Sequence, residues 1–561
     1  MNSLSSTSSE DAILAGLLDY CAAQGISISP NISLRRVSGK GLGVYTSKPL
    51  TPGDPVMHVP TAALFTTSSV PLSFASKEAR KSIPVHALLA AYLAFGMSEA
   101  KREHYARWMA TWPRLTDFTS TMPVFWPGAL KQPISQQRDT KRNGAQQTEE
   151  KTQFLPLPPS LTGSWLYSDK NSSGMPPKIL DELGSKLESH LKTIAKAFPA
   201  QASALLSQTE PLHWKFIHMW CIVGSRCFYY LRPGQPAPKD SNEAMALCPG
   251  MDLFNHSDKP HCRTTYDRKG YEVTAVQEHG IGEEVLLGYG AHSNDLLWNE
   301  YGFIMGGDGN VSDGVQLDEV VLASLTDAQK KTLEKAGYLG DYWLKPEGLC
   351  WRSEVVSWLD VLTPGQWNRF LEGKFDPAVA DRQFTAEGNG IEDSSGNRKR
   401  KRGTGGTSEE ATANETAILK QTPSERAKRK QLAWIKVMAS VAENSLMGLM
   451  FLAPQKTRRN GNGNSRTELL HWFGDDEKIL EAQGLRGPDI SKTRSSQAKA
   501  RHRMCVQRWR QILQLCTHAG DMIREDTPAL RNDGVNLGTE RLGTEEQNIE
   551  ALVDEFLEHD I

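Results

Sequence analysis

The chain has 561 residues, too many for one ordinary core, and domains of ~100–200 residues suggest two or three units. Hydrophobic residues make up 39% and charged residues 23%, which excludes a wholly disordered chain and supplies a sizeable core. The formal net charge of −2 excludes a global field drawing the chain to nucleic acid or an anionic membrane, so any basic partner surface is local.

The eight cysteines are Cys21, Cys221, Cys227, Cys248, Cys262, Cys350, Cys505 and Cys516. They form no CxxC pair and no Cys/His cluster of zinc-ligand spacing, so no metal is expected. Their scatter fits a reducing compartment. The N-terminal MNSLSSTSSEDAILAGLL has no basic stretch ahead of its short apolar run, unlike a signal peptide. No apolar run approaches the ~20 residues of a membrane span. The expectation is a cytosolic or nuclear protein, with no membrane partner.

In chain order, residues 10–24 have helical periodicity, with Ile13, Leu14, Leu17, Leu18 and Cys21 on one face. Short strands follow around the glycine-rich turn GKGLG at Gly39–Gly43 and the turn TPGD at Thr51, which reads as a mostly antiparallel β unit. Residues 84–112, 178–207 and 211–231 turn helical. Between them, residues 131–153 are polar and irregular and read as a disordered surface insertion. Residues 247–304 return to short strands and turns. From about 315 the patterns are helical to the C-terminus, broken by a Gly-, Ser- and Thr-rich insertion at 385–425 that carries the basic run Arg398–Arg402. That run reads either as a nuclear localisation signal or as solvated charge in a loop. The neutral overall balance argues against direct nucleic-acid binding as the main role.

Three separated stretches bear chemistry. Glycines in GKGLGVYTS, Gly39–Ser47, allow positive φ and close backbone approach to a ligand, although taken alone the stretch is a hairpin turn. It has neither the GxGxxG spacing of a dinucleotide fold nor a P-loop lysine. In LCPGMDLFNHS, Asn255 and His256 end a buried apolar element and present an amide and an imidazole; the bland reading is an Asx turn. In GEEVLLGYGAHSNDLLWNEYGFI, the pairs Tyr289-Gly290 and Tyr301-Gly302 each permit a sharp turn that aims a phenol into a cavity; the bland reading is two core tyrosines.

Taken in order, the GxG turn, the D-x-x-NH stretch and GEEV…YG…SN…LL…YGF resemble a SET domain, and more narrowly the branch typified by the Rubisco large-subunit lysine methyltransferase. The resemblance covers about residues 30–305. It implies an α+β class: a β-rich fold of short strands at 30–310, split by a helical insertion at about 84–230, after an N-terminal helix at 1–29. A helical substrate-binding domain at 311–561 follows. It also implies S-adenosyl-L-methionine as cofactor, held by Lys40, Gly41, Leu42, Gly43, Arg226, Asp252, Asn255, His256, Tyr289 and Phe303. Arg226 is implied to face the methionine carboxylate, which suits a guanidinium fork. Tyr289 matches the family's catalytic tyrosine, and Phe228, Tyr271 and Tyr301 are implied to wall the substrate channel.

The implied reaction is methylation of lysine on another protein. No cysteine-rich zinc module follows Phe303, which tilts the acceptor away from histone tails, and ribosomal proteins lead because fungal relatives of this branch act on them. Free lysine has a pKa of ~10.4, so a channel that desolvates the ammonium has to lower it. Three alternatives stay open: a catalytically silent SET protein serving as a binding module, a histidine methyltransferase of the same branch, and a helical scaffold with an incidental β unit. Phe228, standing where the histidine-directed member carries an asparagine, favours lysine.

Overall fold

A computed structural model describes residues 4–37, 41–140, 148–162, 179–232, 234–240, 243–306, 309–388, 421–452, 473–475 and 477–531. Lys40, the basic run Arg398–Arg402 and most of the 385–425 insertion lie outside the described residues.

The N-terminal helix Leu4–Ala23 buries Leu17 and Cys21 of the face read from its periodicity, with Tyr20 beside them; Ile13 and Leu14 are half-buried and Leu18 is exposed. Strands β1 (Ser27–Ile28), β2 (Ile32–Val37), β3 (Gly41–Thr46) and β4 (Pro55–Pro60) follow. β2 and β3 form an antiparallel hairpin with Leu34 opposite Val44 and Val37 opposite Gly41. The helical insertion then begins. Val85–Ala91 is almost wholly buried, Glu99–Met109 starts on the Ser98 cap, and Pro211–Arg226 opens with proline at its first position, where the missing N–H is harmless. That last helix buries His213, Trp214, Phe216, Ile217, Met219, Trp220, Cys221, Ile222 and Val223, so it crosses the core as its aromatic density suggests.

One reading needs correction. The stretch 131–153 forms much of a hairpin, β5 (Ile134–Thr140) paired with β6 (Thr148–Phe154). Its polar composition hid two apolar anchors at the base, Ile134 and Phe154, which are paired and both buried. A hairpin can be polar along its length when its open end is seated in a core.

After the insertion, β7 (Cys227–Tyr229) pairs with β8 (Met245–Leu247), and β9 (Cys262–Tyr266) with β10 (Gly270–Ala275). The largest sheet is antiparallel in the order β1-β4-β10-β9. Among the described residues from 315 onward the regular elements are helices, apart from a sheet of three very short strands, β11 (Val315–Gln316), β12 (Trp343–Lys345) and β13 (Gly348–Leu349). Two long helices, Pro423–Leu452 and Pro488–Asp526, pack on each other.

Buried apolar side chains form two cores. The first joins Leu17, Val44, Leu88, Trp108, Phe216, Trp220, Phe254 and Val273. The second joins Val320, Tyr342, Trp367, Trp434, Met438 and Trp509 with residues from far upstream, among them Trp126, Phe154, Leu161 and Trp298. Packing therefore crosses residue 310. Among the described residues no helix is long and apolar enough to cross a membrane.

Candidate active site

The three chemistry-bearing stretches meet along one line of backbone. Residues 282–287 bond β3 on one side, through Val285 N–H to the Val44 carbonyl at 2.7 Å and Thr46 N–H to the Glu283 carbonyl at 2.9 Å. On the other side they bond the segment after Phe254. Leu287 N–H donates to Asn255 O at 2.9 Å, Ser257 N–H to Leu287 O at 2.9 Å, and His261 N–H to Leu286 O at 3.0 Å. Residues 213 apart in sequence thereby touch: the Asn255 amide donates to Leu42 O at 3.2 Å and to Glu284 Oε1 at 2.7 Å. A Cβ on Gly43 would lie 2.7 Å from that Glu284 oxygen and 3.1 Å from Asn255 Nδ2, so the second glycine of the GxG turn has no room for a side chain.

Tyr289 is tied into this crossing twice. Its N–H donates to His256 Nδ1 at 3.1 Å and its hydroxyl donates to the Phe254 carbonyl at 2.6 Å. Burial holds the His256 pKa below the usual imidazole range, so the ring is neutral near pH 7. With Nδ1 accepting, Nε2 carries the proton, and that atom is buried without a hydrogen-bond partner. The His256 and Tyr289 rings stack at 5.1 Å. Tyr301 stands 5.2 Å from Tyr289, and Phe303 lies 6.4 Å from Tyr289 and 6.1 Å from His256. Burial raises the pKa of both phenols, that of Tyr301 to about 12, so each is a neutral hydroxyl.

Local sequence explains how the second tyrosine is presented. Ser293 caps the helix Asn294–Tyr301 by accepting from Leu296 N–H, and Gly302 ends it with φ at +80°. A Cβ on Gly302 would also overlap the Thr121 hydroxyl, so the Tyr-Gly pair answers both a conformational and a steric demand.

Arg226 ends the helix Pro211–Arg226 and donates through Nη1 to the Asp252 carbonyl at 2.5 Å; its Nε is buried without a partner. Asp252 is itself buried and accepts from Trp108 Nε1 at 2.9 Å. Burial raises its pKa while Arg226 pulls it back. Arg226, Tyr301, Asp252 and Glu284 all lie near enough to act electrostatically on the Tyr289 hydroxyl.

Tyr271 and Phe228 belong to a neighbouring group of rings. Tyr271 lies 6.1 Å from Phe228, 6.0 Å from Tyr230 and 5.4 Å from Tyr266, and its hydroxyl donates to the Tyr229 carbonyl. Among the described residues no ring contact joins this group to Tyr289. Two participants were missed in the sequence. Glu284 sits in the quoted GEEV stretch, where a carboxylate between a turn and an apolar pair was a signal. Trp108 gave none, because its bond to Asp252 spans 144 residues. No group of three or more His, Cys, Asp or Glu among the described residues can hold a metal.

A guanidinium nitrogen and an imidazole N–H, both buried and unpaired, suit a polar ligand with anionic and acceptor groups. The adjacent rings of Tyr289, Tyr301 and Phe303 suit a cationic or amine-bearing side chain. The donor set thus fits an amino-acid-bearing nucleoside beside an amine.

The SET domain family model matches residues 41–290. Ribosomal lysine N-methyltransferase set11 of Schizosaccharomyces pombe is 27% identical over 180 residues, 32% of this chain and 44% of the relative. Ribosomal lysine N-methyltransferase 2 of Saccharomyces cerevisiae is 30% identical over 188 residues, 29% of this chain and 38% of the relative. The matched stretches thus span less than half of either relative. The crystal structure of the SET domain of LSMT bound to lysine and AdoHcy aligns over 94% of this chain and 96% of that chain, with 13% identity and a TM-score of 0.41.

Proposed function

We propose that this chain, which carries a SET domain over residues 41–290, is an S-adenosylmethionine-dependent lysine N-methyltransferase acting on a non-histone protein, with ribosomal proteins the leading acceptor class. The observation that carries the reading is the juxtaposition at Tyr289 of unpaired buried nitrogens on Arg226 and His256 with the rings of Tyr301 and Phe303. The two ribosomal lysine methyltransferases among the relatives support the acceptor class.

When bound, S-adenosylmethionine supplies a methyl already activated on a sulfonium. Arg226 would take the methionine carboxylate with its unused donor. Gly41, Leu42 and Gly43 would offer backbone, Lys40 is assigned with them, and Gly43 leaves room for Glu284 and Asn255. Asn255 and His256 would hold the adenosyl portion, Asp252 would fix Arg226 from behind, and Phe303 would pack alongside. The chain's own work on the acceptor is alignment and desolvation. A lysine entering beside Tyr289 and Tyr301 leaves water, which favours the neutral amine that can act as nucleophile. Tyr289 is anchored by the Phe254 carbonyl and orients that nitrogen; its raised pKa makes it a donor and positioning group rather than a base. Phe228 and Tyr271 are assigned to the outer wall of the channel, and residues 311–561 to docking the acceptor protein. The working compartment is the cytoplasm, with the nucleus added if Arg398–Arg402 serves as a localisation signal.

The test is transfer of labelled methyl from S-adenosylmethionine to ribosomal proteins prepared from cells lacking this protein. Acid-stable label on lysine is expected. Label on no protein of a whole-cell extract, or label on histidine alone, would overturn the proposal.

A further inference from the structure

The helix Pro488–Asp526 carries two arginines whose side chains are wholly buried, Arg501 and Arg508, seven residues apart and so on one face. Arg508 reaches the helix that ends at Tyr301, and Arg501 reaches residues packed beside that helix. Arg508 meets Asp295 with two parallel bonds, Nε to Oδ1 at 2.7 Å and Nη2 to Oδ2 at 2.9 Å. Its remaining nitrogen bonds Asp313 Oδ2 at 2.7 Å, and Asp313 Oδ1 accepts from Asn294 N–H at 2.9 Å. Ser160 adds a hydroxyl to Asp295 at 2.5 Å. Arg501, paired with Asp475, donates to Thr119 O at 2.8 Å, two residues before Thr121. Thr121 in turn accepts from Trp298 Nε1 at 2.9 Å and abuts Gly302.

The geometry of these bonds is that of a clamp. Asn294 and Asp295 begin an eight-residue helix that ends at Tyr301. Such a helix is ~12 Å long and stiff, so an error at its first turn is carried to its last. One arginine fixes its start and the other supports the residues beneath its end. A nonpolar contact would also bury area, but it would not fix rotation about the helix axis as a bidentate fork does.

We propose that Arg508 is a positioning residue for the site: through Asp295 it sets the placement of the helix Asn294–Tyr301 and hence of Tyr301 and Phe303 against Tyr289. This rests on the methyltransferase reading above. It gives the C-terminal helical region a role in the chemistry, apart from any role in docking, and it makes no contact with substrate or cofactor.

Removing the arginine outright would leave two carboxylates buried together, so the primary variant is Asp295→Asn, which keeps shape and leaves one arginine facing one aspartate. Arg508→Lys, which keeps charge and loses the fork, is its companion. Expected for both are S-adenosylhomocysteine affinity within about twofold of the wild type, kcat for methyl transfer to ribosomal proteins lower by tenfold or more, and little change in KM. Amide hydrogen exchange across 296–303 should quicken by tenfold or more, with β9 and β10 unchanged. Unchanged exchange in Asp295→Asn overturns the clamp whatever the activity does, and so does a kcat loss matched by an equal loss of cofactor affinity. Failure of the underlying reading looks different: wild-type protein that transfers no methyl, or Tyr289→Phe that transfers at full rate.

Discussion

Arg226 and Arg508 are the same side chain in two kinds of burial. Arg508 has every nitrogen bonded and two carboxylates around it, and those carboxylates raise its pKa against the opposing effect of burial. Arg226 makes one bond to a backbone carbonyl and leaves Nε buried and unpaired. Leaving a buried donor unmet costs about 1–3 kcal/mol, so folding alone gives no reason to keep it. At Arg508 every polar group is satisfied within the chain, whereas at Arg226 one buried donor is left for a ligand to meet.

The sharpest way to break that contrast is to remove each arginine. Arg508→Leu should cost about 3–5 kcal/mol in thermal or denaturant unfolding, because Asp295 and Asp313 are left facing each other. Arg226→Leu should lower Tm less than Arg508→Leu does, since Arg226 makes one bond and faces one carboxylate, yet abolish the stabilisation that S-adenosylhomocysteine confers on the wild type. Equal losses of stability in the two variants would erase the distinction. Next in size is Tyr289→Phe, expected to lower transfer by roughly 10²-fold with cofactor binding kept, read by single-turnover assay and calorimetry. Asn255→Ala should weaken cofactor binding by about tenfold, since the amide also ties Leu42 to Glu284.

A further effect concerns pH. Burial lowers the pKa of His190 to about 4, well under its unfolded value of ~6.5. The unfolded chain therefore takes up a proton that the folded chain refuses. Stability is fully present above the unfolded pKa and falls as pH drops from about 6.5 toward 4. His190→Gln should flatten that part of a Tm–pH profile, and an unchanged profile would remove His190 from the account.

The parts of the site legible in the sequence were those with a local cause. Gly43 and Gly302 are required where they stand by steric contact or by φ, and both were marked in advance by their turns. The pairing of Asn255 and His256 at the end of an apolar element was likewise visible. What it meant was not, because the link from His256 Nδ1 to Tyr289 N–H exists only after chain crossing. The hairpin at 134–154 was missed because two apolar residues at its base decide it against a polar majority. The helices read well, since amphipathic spacing is local. Arg508 offered nothing to read: a single arginine in a helical pattern resembles surface charge until Asp295 is brought beside it.

The distances along the chain have a temporal meaning. Leu42 waits for Asn255, and Asp295 waits for Arg508, 213 residues later in each case. At about 5–20 residues per second of synthesis, the second wait is roughly 10–40 s. During that interval Asp295 lacks its counter-ion and the second core lacks its longest helix. Tyr301 therefore reaches its working place only after Arg508 has been synthesised.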